Sequence, residues 1–231
     1  MITSNVIHRV FRIRHGGNEA TAFTLDVDDR QYVVTARHAV ETLQDSGEID
    51  IFAHGTWNSS PVRLVGHASG ERDISVLAAD RQLTPGRLTM EAASKGVIYG
   101  QDVFFLGFPY GLLSKFLLTE YGHPLPLVKK ATVSLFQSDE VFLLDGHNNP
   151  GFSGGPVVFT APGVTEYKVF AVISGYKSVD QGVLAGGQPV YAGPEQPLVV
   201  SYNTGIVVAW AIDFAVQLAH GNPIGVPCAG A

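Results

Sequence analysis

The chain has 231 residues with 15 basic and 21 acidic side chains, a net charge of −6 and no block of like charges, which excludes an electrostatic nucleic-acid binder. Its 45% hydrophobic content, 26 Gly and 13 Pro fit one large all-β domain or two small ones rich in turns, and no apolar run is long enough to span a membrane. One cysteine, Cys228, excludes an intrachain disulfide, and the start Met1-Ile2-Thr3-Ser4-Asn5 lacks a basic n-region and apolar core, so a soluble, cytoplasmic protein with no membrane partner is expected.

Short strands are expected at 6–13, 20–27 and 31–35, separated by Gly16-Gly17-Asn18 and Asp28-Asp29-Arg30 at hairpin spacing. The third runs into Ala36-Arg37-His38-Ala39-Val40, where one or two helical turns fit. His38 thus follows the end of an apolar strand, held by the sheet yet open on one side. That position sets it apart from His8, His15, His54, His67, His123 and His220, which read as surface or capping groups.

Strands at 49–54 and 62–67 precede Arg72-Asp73-Ile74-Ser75-Val76-Leu77. Asp73 at the mouth of this apolar strand is either a solvated turn residue or a fixed carboxylate that orients a histidine. Residues 83–95 read as a connection between halves, dividing the chain into 1–90 and 91–231. An apolar run over 103–111 opens the second half, strands at 129–136, 140–144, 157–160, 167–173 and 206–212 follow, and 182–197 is a Gly/Pro-rich excursion with little strand character. Asp213 is placed to cap a short helix over 214–220, closed by Gly221.

Between the strands at 140–144 and 157–160 stands Asn149-Pro150-Gly151-Phe152-Ser153-Gly154-Gly155-Pro156. By itself this is either a turn or a nucleophile loop. A serine hydroxyl needs a base to take its proton and donors to hold the oxyanion it creates, and the flanking glycines let the backbone bend so that amides converge.

Three motifs, Val33-Val34-Thr35-Ala36-Arg37-His38, Arg72-Asp73-Ile74-Ser75-Val76-Leu77 and Asn149 to Pro156, resemble those of the trypsin-like serine peptidases with the chymotrypsin fold, in the family's order. Leu106-Gly107-Phe108-Pro109-Tyr110-Gly111 is similar to a segment of the bacterial HtrA-type branch. The resemblance implies an all-β fold of two six-stranded Greek-key barrels with a short C-terminal helix. It further implies a triad of His38, Asp73 and Ser153, an oxyanion hole from the amides of Gly151 and Ser153, and no metal or cofactor. His147, six residues before the serine, resembles the base of the specificity pocket, and Ser174-Gly175-Tyr176 resembles one pocket wall. His147 either meets an acidic substrate side chain, fills the pocket, or faces away. The α/β-hydrolase elbow is disfavoured because its histidine comes last.

Departures from the family bear on control. The chain lacks an Ile-Val-Gly-Gly-type start, and no PDZ domain is expected after the protease unit. Control by loops or a regulatory protein partner is therefore expected. Residues 112–127 read as an insertion carrying Leu112, Leu113, Phe116, Leu117, Leu118, Tyr121, Leu125 and Leu127, which is either a lid, a docking surface or a satellite of the core. The expected partner is a protein or peptide substrate. The expected activity is endopeptidase, with a protease-fold scaffold or an esterase or acyl transferase as alternatives.

Overall fold

The computed structural model describes residues 2–86, 88–114 and 118–228. Two closed, six-stranded antiparallel barrels make up its bulk. The first comprises β1 (Val10–His15), β2 (Asn18–Val27), β3 (Arg30–Thr35), β4 (Ser46–Ala53), β5 (Thr56–His67) and β6 (Ser75–Ala79), in the order β3-β2-β1-β4-β5-β6, with β6 returning to pair with β3. After β7 (Glu91–Ala92), the second comprises β8 (Asp102–Gly107), β9 (Leu127–Phe136), β10 (Val141–Asp145), β11 (Pro156–Phe159), β12 (Lys168–Gly182) and β17 (Val199–Ala211), closed by β11 against β12. Two minor hairpins lie between β12 and β17: β13 (Leu184–Ala185) with β14 (Gln188–Pro189), and β15 (Tyr191–Gly193) with β16 (Gln196–Pro197).

Each barrel closes on its own apolar interior. Phe11, Ile13, Val33, Ile49 and Leu77 fill the first, while Phe105, Val133, Phe142, Phe170 and Val207 fill the second. A third cluster, including Val34, Val76, Leu106, Phe108, Val158 and Ile212, is shared between them. Helix α2 (Asp213–Gly221) adds Ala215 and Ala219 to that shared core. Burial on this scale removes apolar surface from water on both faces of the strands that carry the site.

Several local expectations are corrected. Residues 4–7 form one helical turn, α1 (Ser4–Ile7), so the first strand begins at Val10 instead of residue 6. β5 starts at Thr56, six residues early, because the polar stretch Trp57-Asn58-Ser59-Ser60 pairs with β4 across a hairpin whose turn residues His54 and Gly55 take positive φ. Asp213 is the first residue of α2, and its side chain makes no capping hydrogen bond. The strand at 167–173 runs on to Gly182, and its partner begins at Val199, so much of the 182–197 excursion is carried on a two-stranded ribbon. The tail returns to the first barrel, where β18 (Val226–Pro227) pairs with β3.

Residues 112–114 and 118–127 form a strap. It leaves the second barrel after β8, lies on the first where the His54 amide donates to Gly122 O at 2.8 Å, and returns as β9. The His123 ring stands edge-on to Phe11 at 4.8 Å between centroids. Leu113 packs against the shared core, whereas Leu112, Leu118 and Tyr121 are exposed. Phe116 and Leu117 lie outside the described residues.

Candidate active site

The register of β3 against β6 pairs Thr35 with Ser75, which brings the residues just beyond both strand ends together. His38 sits in a 3-10 turn, Arg37–Ala39, and Asp73 in the loop entering β6. The His38 amide donates to Asp73 Oδ1 at 2.9 Å and the ring Nδ1–H donates to Oδ2 at 2.7 Å. The Ser174 hydroxyl, from β12 of the other barrel, donates to the same Oδ2 at 2.7 Å. Arg72 holds this loop from the outside by pairing with Glu140 at 2.6 Å and lying over the Phe214 ring.

These contacts set the charges. The hydrogen bond to Asp73 is the main cause that raises the His38 pKa above its ordinary value, outweighing a burial that lowers it. Burial pulls the Asp73 carboxyl up, but the His38 ring, the Ser174 hydroxyl and the His38 amide together hold it below the ordinary carboxylate range. The pair is thus an ionised carboxylate orienting an imidazole, whose ring is about half exposed with a side-chain exposure of 53%.

Ser153 stands in a loop stitched to both barrels. Gly154 N donates to Ile173 O at 2.7 Å and Ile173 N to Gly155 O at 2.9 Å, which places Ser153 beside Ser174. From the first barrel, the Thr21 amide donates to Ser153 O at 2.9 Å and the Thr21 hydroxyl to Gly151 O at 2.7 Å. Gly154 has φ +82, and a Cβ there would come within 2.2 Å of Thr21 O. Gly151 has φ +105, and a Cβ would meet Phe108 O at 2.5 Å. Only glycine fits either place.

The amides of Gly151 and Ser153 are oriented by the carbonyls that share their peptide planes. In a trans peptide the N–H points opposite to the C=O. Pro150 O accepts from Tyr110 N at 2.9 Å, and Phe152 O accepts from Gly155 N at 2.8 Å. Both carbonyls are thus engaged, and neither Gly151 N nor Ser153 N donates to a backbone carbonyl among the described residues. Tyr110 provides its contact from a left-handed conformation, φ 53 and ψ 23. The Ser153 hydroxyl donates to Ser174 O at 3.1 Å.

His147 and the Ser174 to Tyr176 segment lie on either side of Ser153 in sequence, the first in the loop before it and the second on β12. His147 is exposed, and its backbone carbonyl is what Lys129 Nζ holds. Lys129, on β9, also donates to Asn149 Oδ1 at 2.9 Å and lies 5.7 Å from the Phe152 ring centroid. Burial lowers its ammonium pKa. Gly175 and Tyr176 continue β12 after Ser174, paired with Val208 and Val207. Asn148, beside His147, is fully buried with Oδ1 unpartnered among the described residues. Thr21, Tyr110, Lys129 and Asn148 escape sequence reasoning because their roles depend on partners far along the chain. Ser174, expected as a wall, is also a hydrogen-bond partner of Asp73.

Among the described residues no three His, Cys, Asp or Glu side chains form a metal-binding group, and no helix is long and apolar enough to cross a membrane. The model of the trypsin-like peptidase domain matches residues 20–163. No curated protein matches in sequence. Among solved structures, the Rv3671c protease of M. tuberculosis in its inactive form is similar at TM-score 0.56 and 18% identity, covering 94% of this chain and 90% of that one. The serine endoprotease from Yersinia pestis is similar at TM-score 0.58 and 18% identity, covering 96% and 67%. The HtrA-type protease AlgW is similar at TM-score 0.58 and 17% identity, covering 95% and 63%. At these identities the likeness concerns the fold.

Proposed function

The chain belongs to the trypsin-like peptidase family, and from that membership we propose that it is a serine endopeptidase in which Ser153, His38 and Asp73 carry the chemistry. The observation that supports this most is the Asp73 carboxylate, which receives three donors and fixes the ring of His38 with Nδ1 turned inward and Nε2 left for a proton.

In this reading, rotation of the Ser153 side chain moves its hydroxyl from Ser174 O to His38. His38 takes the proton as Oγ adds to the carbonyl carbon of a peptide bond. The oxyanion rests against the N–H groups of Gly151 and Ser153, a role supported by neither N–H donating to a backbone carbonyl among the described residues. The C–N bond then breaks, and the proton passes from His38 to the leaving amine. A water molecule, losing its proton to His38, cleaves the acyl-enzyme by the same route and restores the Ser153 hydroxyl.

Control follows from the strap. Tyr110, at its root, holds Pro150 O, and the Asn149 amide donates to Tyr110 Oη at 3.3 Å, so a loop or partner that moves this segment also moves the oxyanion loop. A second reading, a scaffold with an unused triad, draws on the Ser153 hydroxyl being engaged with Ser174 O.

A panel of peptide and ester substrates tests the proposal. The wild-type chain is expected to hydrolyse peptides, with turnover falling about 10⁶-fold in Ser153→Ala, the size of loss seen when such a nucleophile is removed. Equal rates in the two proteins overturn it. Turnover of esters alone assigns the site to an esterase.

A further inference from the structure

Lys129 breaks the pattern of the strand that carries it. On β9, Lys129, Ala131 and Val133 share one face, and Ala131 and Val133 are buried in the core of the second barrel. Lys130, on the opposite face, pairs with an equally exposed Asp102 at 2.7 Å. Among the described residues no carboxylate pairs with the Lys129 ammonium, and burial lowers its pKa. A cation on a core-facing position without a counter-ion carries a desolvation cost that an apolar side chain there does not. Its donors go instead to the loop that leads to Ser153.

Lys129 reaches two residues of that loop, donating to His147 O and, at 2.9 Å, to Asn149 Oδ1, with the Phe152 ring within cation–π reach at 5.7 Å. Asn149 passes the link on, since its Nδ2 donates to Tyr110 Oη at 3.3 Å. Asn149 also opens a turn. Phe152 N donates to Asn149 O at 3.2 Å, Pro150 is second and Gly151 third with φ +105, the features of a type II turn. The central Pro150–Gly151 peptide carries one of the two N–H groups assigned to the oxyanion. Rotating that peptide to the type I arrangement reverses the N–H and pulls Pro150 O away from Tyr110 N, which now holds it at 2.9 Å.

We propose that Lys129 is a positioning residue whose ammonium latches this turn: through the Asn149 side chain it holds Tyr110 against Pro150 and so keeps the Gly151 N–H presented to the oxyanion. The charge makes the latch, because hydrogen bonds from an ionised donor are about twice as strong as neutral ones. An oxyanion contact exists only in the transition state, so loss of the latch lowers kcat and leaves KM nearly unchanged. The catalytic part of the role rests on the peptidase reading, but the latch itself does not.

The test compares the wild-type chain, Lys129→Met, and Lys129→Cys before and after alkylation with 2-bromoethylamine, which rebuilds an ammonium at nearly the length of lysine. Wild type treated alike controls for Cys228. Two readouts are taken: hydrogen exchange at the Tyr110 and Phe152 amides, and steady-state peptide hydrolysis. Lys129→Met is expected to exchange about tenfold faster at both amides and to lose about 10²-fold in kcat, with KM within about twofold of wild type. Alkylation of the Cys protein is expected to restore both. Exchange in Lys129→Met as slow as in wild type overturns the latch. An unchanged kcat, or an alkylated protein no better than its unmodified form, overturns it too and leaves Lys129 as filler at the barrel mouth. If Lys129→Met fails to fold, the Cys protein with and without the added ammonium gives the same comparison. A wild-type chain that hydrolyses no substrate refutes the peptidase reading, and the exchange readout then decides the latch by itself.

Discussion

Replacing Thr21 by Val separates the clamp on the Ser153 loop from the loop itself. Thr21 is fully buried on β2, and its hydroxyl donates to Gly151 O at 2.7 Å while accepting from Phe108 N at 3.1 Å. Valine keeps the branched shape and the Thr21 N–H to Ser153 O bond, so only the hydroxyl is lost. A buried acceptor and a buried donor are then left unpaired, each costing about 1–3 kcal/mol, or about 2–4 kcal/mol together after partial relaxation. For a domain of this size that lowers Tm by roughly 5–15 °C. Thr21→Ser keeps the hydroxyl and loses one methyl, about 1 kcal/mol. Circular dichroism melts of the three proteins, with the rate of active-serine labelling measured on each, form the assay. The Val protein is expected to melt well below the Ser protein and to label more slowly. A Val protein with the wild-type Tm and labelling rate refutes the clamp.

Three other outcomes follow from the same geometry. Since His38 titrates above its ordinary value, kcat/KM is expected to rise with pH along a limb whose midpoint exceeds about 6.5, and Asp73→Asn is expected to lower turnover by about 10⁴-fold; a limb at or below 6.5 contradicts the Asp73 contact. Asp73 is held below its ordinary value, so its contribution to stability is present above the ordinary carboxylate pKa and is lost as pH falls through the folded one. Ser174→Ala removes one of its donors, raises the folded pKa toward the ordinary value and weakens that contribution; fluorescence-monitored acid unfolding then moves to higher pH, and an unmoved midpoint counts against the Ser174 bond. Gly122→Ala, at φ +75 with a Cβ that would strike the His54 ring, is expected to undock the strap at a cost of about 1–3 kcal/mol, and limited proteolysis within 112–127 no faster than wild type contradicts that packing.

What could be read in advance was whatever repeats with a local period or a short motif. The apolar run 31–35 and the charged entry to 75–77 marked β3 and β6, and the placement of His38 and Asp73 at their ends followed from the strands alone. The doubly barrelled architecture came from the resemblance, since strand pairing order leaves no mark in composition. Contacts between distant segments were illegible. The Ser174 hydroxyl reaches Asp73 across 101 positions, and Thr21 reaches Gly151 across 130. A threonine in an apolar strand gives no sign of such a role. β5 was read short because its first half is solvated, and polar residues on an outer hairpin carry no apolar alternation. The ribbon beyond Ile173 was missed for the same reason, as an exposed strand pair outside the core carries no apolar alternation. His147 was located by its offset from Ser153, yet an offset does not say which way a side chain turns, and the structure leaves it exposed.

The central claim is that Ser153 is a nucleophile activated by His38. Incubation with a fluorophosphonate probe, followed by peptide mapping of the adduct, tests it directly. A single adduct on Ser153 is predicted, absent from Ser153→Ala and formed far more slowly in His38→Ala. No adduct on folded wild-type protein, or one located on another residue, contradicts the account.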